Sequence, residues 1–240
     1  MIIASPECTN HSRAKGAKPR DEQSRATAFE VVRFADLIRP RWIVVENVPD
    51  FKSWELYPIW LQALKRLGYG IREQILNSAD FGIPQTRERY ILTAELNSVP
   101  DKIEPTVNQW KPAREIINWK ADYPLTPVST KADSTKRRVE MGISALGKQE
   151  PFIIVYYGSG PQFQSLDRPL RTITTRDRFG LVVPTYKGHM MRMLQPDELL
   201  VGHGFPSGYI VLGTKKEQVC QIGNAVSPGV MKAAVKRLVA

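Results

Sequence analysis

Cysteine is nearly absent. Cys8 and Cys220 are the only two among 240 residues and stand far apart, which excludes a disulfide framework and fits a reducing compartment. Histidine is almost as scarce. His11, His189 and His203 show no metal-ligand spacing with either cysteine, so no metal is expected. No apolar run approaches a membrane span, and the first residues lack the long apolar core of a signal peptide, so no membrane partner and a cytoplasmic location are expected. Internal repeats and low-complexity tracts are lacking as well. Acidic residues are in deficit: 24 Asp and Glu against 34 Lys and Arg leave a net charge of +10 and a pI near 9.7. That excess favours a polyanionic partner, most often nucleic acid. With 42% hydrophobic and 24% charged residues, the composition is that of a globular chain.

Apolar periodicity gives the first part of the chain an alternating pattern. Met1–Ala4 reads as the end of a strand, and residues 9–20 as a mobile basic loop. Ser24 is a candidate helix cap, followed by Phe29, Val32, Ala35 and Ile38 at helical spacing, with Pro40 as the stop. Trp42-Ile43-Val44-Val45 suits a strand buried on both faces, as in a parallel sheet, and ends in Glu46-Asn47-Val48-Pro49. A second helix starts near Pro58 and ends at Gly68. Residues 70–76 and 89–94 read as two further strands. This is an α/β pattern up to about residue 97.

Composition then changes. Pro100, Pro105, Pro112, Pro124 and Pro127 interrupt the chain, and the basic stretch with Lys131, Lys136, Arg137 and Arg138 reads as irregular structure. Strand-like runs return at Phe152–Tyr157, Leu170–Thr175 and Leu181–Val183. Gln195-Pro196-Asp197-Glu198 is a helix start, and Ser227–Ala240 a closing amphipathic helix. The expected division is 1–97, 98–190 and 191–240. The last segment would return to the first domain.

Three groups of reactive side chains fall at predicted strand ends: Cys8, Glu46, and the pair Arg87 and Arg89. Parallel strands would bring those ends to one edge of a sheet. A thiol, a carboxylate and two guanidinium groups suit attack on an electron-poor ring that carries a carbonyl and a ring nitrogen. The loop after Cys8 is rich in cationic residues, Arg13, Lys15 and Lys18, and nearby positive charge would lower the thiol pKa. Each group also has a plainer reading. Cys8 taken alone is more often a structural thiol, Glu46 a cap of the next turn, and the two arginines a solvated face. The basic run Lys136-Arg137-Arg138 is as readily a solvated loop as a DNA contact. Gly158-Ser159-Gly160 reads as a turn and Cys220 as a small buried residue.

The ordered set of motifs goes further. Ser5-Pro6-Glu7-Cys8 with Ser12, Glu46-Asn47-Val48, Gln85-Thr86-Arg87-Glu88-Arg89, Arg168-Pro169-Leu170-Arg171-Thr172-Ile173-Thr174, Gly204-Phe205-Pro206 and Gln221-Ile222-Gly223-Asn224-Ala225-Val226 occur in this order. The chain resembles the cytosine-C5 DNA methyltransferases. The resemblance implies a partial Rossmann-like methyltransferase sheet with a small, mostly β target-recognition domain. It implies double-stranded DNA as partner and S-adenosyl-L-methionine as methyl donor, usually in a bacterial or phage setting. Cys8 would add to carbon 6 of a flipped-out cytosine, Glu46 would hold N3 and the amino group, Arg89 would meet O2, and Arg87 would fix the nucleophile loop. Pro6, Asn224 and Ala225 would contact the donor. Ser12, Arg13, Asn47, Gln85 and Thr172 would contact the substrate.

Two departures stand out. Glu7 occupies the place of the family's usual proline, and a carboxylate there would raise the thiol pKa. The family's first strands, with their glycine-rich donor loop, are not found. The strand ending at Ala4 would then be an open apolar edge, so a second subunit or a truncated copy is expected. The rival reading is a catalytically inactive DNA-binding subunit. A thiol enzyme for free pyrimidine nucleotides is disfavoured by the charge and the recognition region.

Overall fold

The computed structural model describes residues 1–12, 19–158 and 160–239. These form two compact units. The first comprises Met1–Phe81, Arg87–Thr106 and Pro228–Ala240, and the second Gly82–Thr86 and Val107–Ser227. The division does not follow the boundaries read from composition. Residues 191–227 group with the second unit, and only the last helix groups with the first.

The first unit is built on a four-stranded sheet. In chain order its elements are β1 (Ile2–Ala4), α1 (Glu22–Arg25), α2 (Phe29–Ile38), β2 (Trp42–Asn47), α3 (Tyr57–Arg66), β3 (Tyr69–Asn77) and β4 (Glu88–Leu96). The strand order is β1-β2-β4-β3. β1 runs parallel to β2, with Ala4 beside Val45, but β4 is antiparallel to both β2 and β3. The sheet is therefore mixed, where the apolar run Trp42–Val45 suggested a parallel one. The reason lies in the connection after β3: a single 3-10 turn, Ser78–Phe81, and a short loop replace the long crossover that a parallel neighbour requires.

Asp21, not Ser24, caps α1, its carboxylate accepting from the backbone N–H of Gln23 and Ser24. A 3-10 turn at Ala26–Ala28 leads into α2, whose buried face is Val31 and Ala35 while Ile38 is exposed. Arg39 ends that helix in the left-handed conformation, just before Pro40. The core is rich in aromatics: the Phe51 ring lies 5.2 Å from Trp60 and 5.5 Å from Tyr57. The closing helix α7 (Pro228–Val239) buries Val230, Ala234 and Leu238, and Arg237 pairs with Asp101 at 2.7 Å.

The second unit holds an antiparallel five-stranded sheet of order β5-β9-β8-β6-β7. Its strands are β5 (Thr126–Pro127), β6 (Phe152–Val155), β7 (Phe163–Ser165), β8 (Phe179–Thr185) and β9 (Gly188–Met193). Its helices are α4 (Asp133–Leu146), α5 (Pro196–His203) and α6 (Lys215–Asn224). Of the basic stretch expected to be irregular, Lys136, Arg137 and Arg138 thus lie in the first half of α4, which Gly142 seats against Phe152: a Cβ there would lie 2.2 Å from the ring. Leu170–Thr175 is not a sheet strand. Leu170 instead exchanges backbone hydrogen bonds with Pro84 and Thr86, at 2.9 and 2.8 Å. Its pairing capacity is spent on the Gln-x-Arg-x-Arg segment.

A buried ion pair fixes β9 to α5. The two Arg192 terminal nitrogens each donate to a Glu198 carboxylate oxygen at 2.7 Å, and the backbone N–H groups of Asn118 and Gln195 complete that carboxylate. Removing one partner strands a buried charge. Glu198→Ala is expected to lower stability by about 3–5 kcal/mol, read as an earlier urea-unfolding midpoint of the chain.

Candidate active site

The parallel pairing of β1 with β2 sets the site. Because Ala4 is level with Val45, the chain leaves β1 at Ser5 beside Glu46, and the Ser5 hydroxyl donates to Glu46 Oε2 at 2.5 Å. The antiparallel run of β4 brings its first residues to the same edge, with Tyr90 opposite Asn47. Arg89 Nε then reaches Glu46 Oε1 at 3.1 Å, with both side chains largely buried. Glu46 is therefore no turn cap. Asn47 is fully buried and holds the backbone: its amide nitrogen donates to the Pro6 carbonyl at 3.3 Å, and its oxygen accepts from the Val48 N–H at 2.8 Å.

Arg87 is buried as well, at 2% exposure. Its backbone N–H donates to Asn77 Oδ1, and its carbonyl accepts from the Ser78 N–H, each at 3.0 Å. Burial first and the Arg89 charge second lower its pKa to about 9, with Glu46 and Cys8 opposing. The Arg89 side chain is only 14% exposed, so neither arginine lies on a solvated face.

The Cys8 thiol departs from expectation. Its pKa is raised, mainly by burial and next by the Glu46 carboxylate; Arg89 and Arg87 pull it down, and Glu7 adds to the rise. Arg89 and Arg87 oppose the rise without reversing it, and the loop cations expected to activate the thiol, Arg13, Lys15 and Lys18, lie outside the described residues. The thiol sits at the start of a single turn, where the Cys8 carbonyl accepts from the N–H groups of His11 and Ser12 at 3.0 and 2.9 Å. Arg20 clasps the turn from below, donating to the carbonyls of Asn10 and Ser12. Arg13 and most of the expected basic loop, residues 13–18, lie outside the described residues.

Four predicted site residues belong to the second unit. Gln85 is buried and satisfied within it: its amide nitrogen donates to the Gly202 carbonyl and to His203 Nδ1, and its oxygen accepts from the Ile173 N–H. His203 Nε2 in turn donates to the Ala225 carbonyl at 3.0 Å. Thr172 Oγ1 donates to the Thr86 carbonyl at 2.9 Å. Asn224 is exposed at the end of α6, its amide 3.8 Å from Cys220 Sγ; Cys220 itself is half-buried, not buried. Gly223 lets this turn approach its neighbour, because a Cβ would lie 2.4 Å from the Thr174 backbone. Gly223→Ala is expected to destabilise the chain by about 1–3 kcal/mol in thermal unfolding, since backbone cannot step aside as a side chain can.

Among the described residues no group of three His, Cys, Asp or Glu side chains is placed to hold a metal ion. Pro6 lines a groove of about 480 Å³ beside β1 with Ile2, Ala4, Val31 and Phe34, and Glu30 is its carboxylate. Ser5 and Thr27 join Glu30 on its polar side, so the lining is mixed.

The model of the C-5 cytosine-specific DNA methylase family matches residues 1–240. The chain belongs to that family. Its curated relatives include the type II methyltransferase M.NgoBI of Neisseria gonorrhoeae, 27% identical over 90% of this chain and 66% of the relative. Another, M.HindV of Haemophilus influenzae, is 24% identical over 100% of this chain and 74% of the relative. The chain thus spans about two thirds of the length of M.NgoBI. Among solved structures, an Entamoeba histolytica methyltransferase superposes with a TM-score of 0.68 at 20% identity, covering 98% of this chain and 75% of its own. The Dnmt2 methyltransferase of S. pombe gives 0.63 at 17% identity, covering 99% and 76%. These likenesses carry the fold, a Rossmann-like methyltransferase sheet with a second unit.

Several residues that shape the site gave no signal of their own in sequence. Ser5 is a ligand of Glu46, while Asn10 and Ser24 bind Glu7. His11 is buried edge-on between Phe51 and Trp54, at 4.8 and 5.3 Å, and burial lowers its pKa to about 4. His203 is the link between Gln85 and Ala225.

Proposed function

We propose that this chain carries the cytosine half of a DNA (cytosine-5-)-methyltransferase, with Cys8 as nucleophile. The observation that supports it best is the Ser5–Glu46–Arg89 cluster at the strand edge beside Cys8. A binding protein has no need to bury a carboxylate and two arginines around a thiol.

In this reading the thiol sulfur bonds to carbon 6 of a cytosine extruded from the duplex, and the thiol proton passes through Glu46 to N3. The ring becomes a neutral enamine whose carbon 5 is nucleophilic. Arg89, held by Glu46, donates to O2 as charge builds there, and Arg87 supports the loop from its buried position. S-adenosyl-L-methionine supplies an electrophilic methyl group. Loss of the carbon 5 proton then expels the Cys8 sulfur and restores the ring. Pro6, Asn224 and Ala225 are the residues that would hold the donor, and Ser12, Arg13, Asn47, Gln85 and Thr172 those that would steady the substrate or its loops. A bacterial setting is supported by relatives such as M.NgoBI of Neisseria gonorrhoeae.

A further polypeptide segment would complete the donor side along β1. That strand forms one margin of its sheet, with Ile3 54% exposed and Phe34 44% exposed beside it. An open apolar edge of this kind is a site for strand addition.

Trapping on DNA that contains 5-fluorocytosine tests the reading, with labelled S-adenosylmethionine and with or without a polypeptide supplying the remaining family motifs. Fluorine blocks the final elimination, so a covalent protein–DNA complex is expected. Trapping only with the added polypeptide establishes a two-part enzyme. Salt-sensitive DNA binding without trapping in either mixture would overturn the enzyme and leave the DNA-binding subunit.

A further inference from the structure

Glu7 does something that a proline in its place cannot. We propose that Glu7 is a positioning residue that latches the turn carrying Cys8 onto helix α1, with Ser24 as the catch. The inference rests on the reading of Cys8 as the nucleophile.

The turn from Cys8 to Ser12 is a single helical turn, and the leading N–H groups of such a turn have no partner within it. Glu7 supplies one. Its Oε1 accepts from the Thr9 N–H at 2.7 Å, and its Oε2 from the Asn10 N–H at 3.2 Å and the Asn10 side-chain amide at 3.3 Å. The same Oε2 accepts from the Ser24 hydroxyl at 2.8 Å. Asn10 doubles the connection, donating to Ser24 Oγ at 3.0 Å and accepting from the Asp21 N–H at 3.0 Å. One carboxylate thus gathers the leading end of the turn and ties it to the helix that follows in the chain. Burial would raise the Glu7 pKa, but hydrogen bonds from Thr9, Ser24 and Asn10 outweigh it and hold the carboxyl below its ordinary value. The latch is therefore closed across the neutral range.

Position matters because the thiol's surroundings come from other elements. Glu46 lies on β2, Arg89 on β4, Arg87 just before it, and Glu7 on the loop itself; all four act on the Cys8 sulfur, after burial. A turn free of α1 would carry the thiol out of that environment. Ser24→Ala removes the catch without altering any charge, and Glu7→Ala removes the whole latch.

Both variants are made in the full chain with Cys220→Ser, leaving one cysteine. Two properties are read: amide exchange at Thr9 and Asn10, and the pH midpoint of Cys8 alkylation by iodoacetamide. Glu7→Ala is expected to speed exchange at those two amides by roughly tenfold to a hundredfold, with the β2 and β4 amides unchanged. Ser24→Ala should speed it less. In both, the alkylation midpoint should fall towards that of an ordinary thiol, by roughly half a unit or more in Glu7→Ala. An unchanged midpoint in Ser24→Ala, with or without faster exchange, overturns the latch. Neither readout needs DNA or donor, so failure of trapping on 5-fluorocytosine would remove the nucleophile reading while leaving this result to stand or fall separately.

Discussion

The Cys8→Ser chain is expected to form no covalent complex with 5-fluorocytosine DNA, a loss of roughly three orders of magnitude or more against the parent. Serine keeps the size of the side chain and offers the same turn geometry, so DNA binding should persist in a gel-shift assay at matched salt. What serine lacks is an accessible anion. The parent thiol already has its pKa raised by burial and by Glu46, and a hydroxyl in that place would be far harder to ionise. The folded thiol favours its neutral form, so this group adds stability below its unfolded-state pKa, and that contribution is lost as pH rises through the folded value. Proton removal must then be coupled to substrate, which is the work assigned to Glu46. Covalent complex formed by Cys8→Ser at the parent rate would dismiss Cys8 as the nucleophile.

Glu46→Gln is the second large effect. An amide still fills the space and still accepts from the Ser5 hydroxyl, but it cannot carry a proton to N3. The trapping rate is expected to fall by about 10²–10⁴-fold while DNA affinity changes little. Arg89→Ala acts on the same pair from the other side. Glu46 is 5% exposed, and its Oε1 would lose the guanidinium that lies 3.1 Å away. Stranding a buried carboxylate should lower stability by about 3–5 kcal/mol, visible in urea unfolding of the free chain. The double variant, Glu46→Gln with Arg89→Ala, should recover part of that loss because no unpaired charge remains. Additive losses in the double variant would mean that the two side chains do not act as a pair.

Much of the first unit, and the start of α5 in the second, was legible because the signals are local. The apolar run Trp42–Val45, the proline in the first turn of α3 and the capping pattern at Gln195–Glu198 each depend on a few neighbouring residues. The Glu198 side chain does reach back to the Gln195 N–H at 2.8 Å. Strand direction was not legible. Nothing in Glu88–Leu96 says whether it will run with or against β2, and it is the antiparallel choice that carries Arg89 to Glu46. The helix cap shows the same limit. Ser24 and Asp21 are both good capping residues, and only the fold decides that Asp21 takes that role while Ser24 turns to Glu7.

The second unit was read less well for a related reason. Lys136-Arg137-Arg138 looked irregular because polar residues dominate it, yet α4 forms once Val139 and Gly142 pack against the sheet. Leu170–Thr175 has strand propensity, but its backbone partners are residues 84–86, far away in the chain.

By itself, then, the sequence determined which chemical groups are available and in what order: one thiol after a short strand, one Glu-Asn pair after another, two arginines before a third. Order in the chain is a covalent fact, and motif spacing preserves it. Only the tertiary structure decided what those groups feel. Burial turned the expected activated thiol into one with a raised pKa. The pairing register put Ser5 and Arg89 on the two oxygens of Glu46. Glu7 raises the thiol pKa, as a carboxylate beside it should, and is also an acceptor for Thr9, Asn10 and Ser24. Each of these outcomes depends on distance and desolvation between residues remote in sequence, which no local pattern encodes.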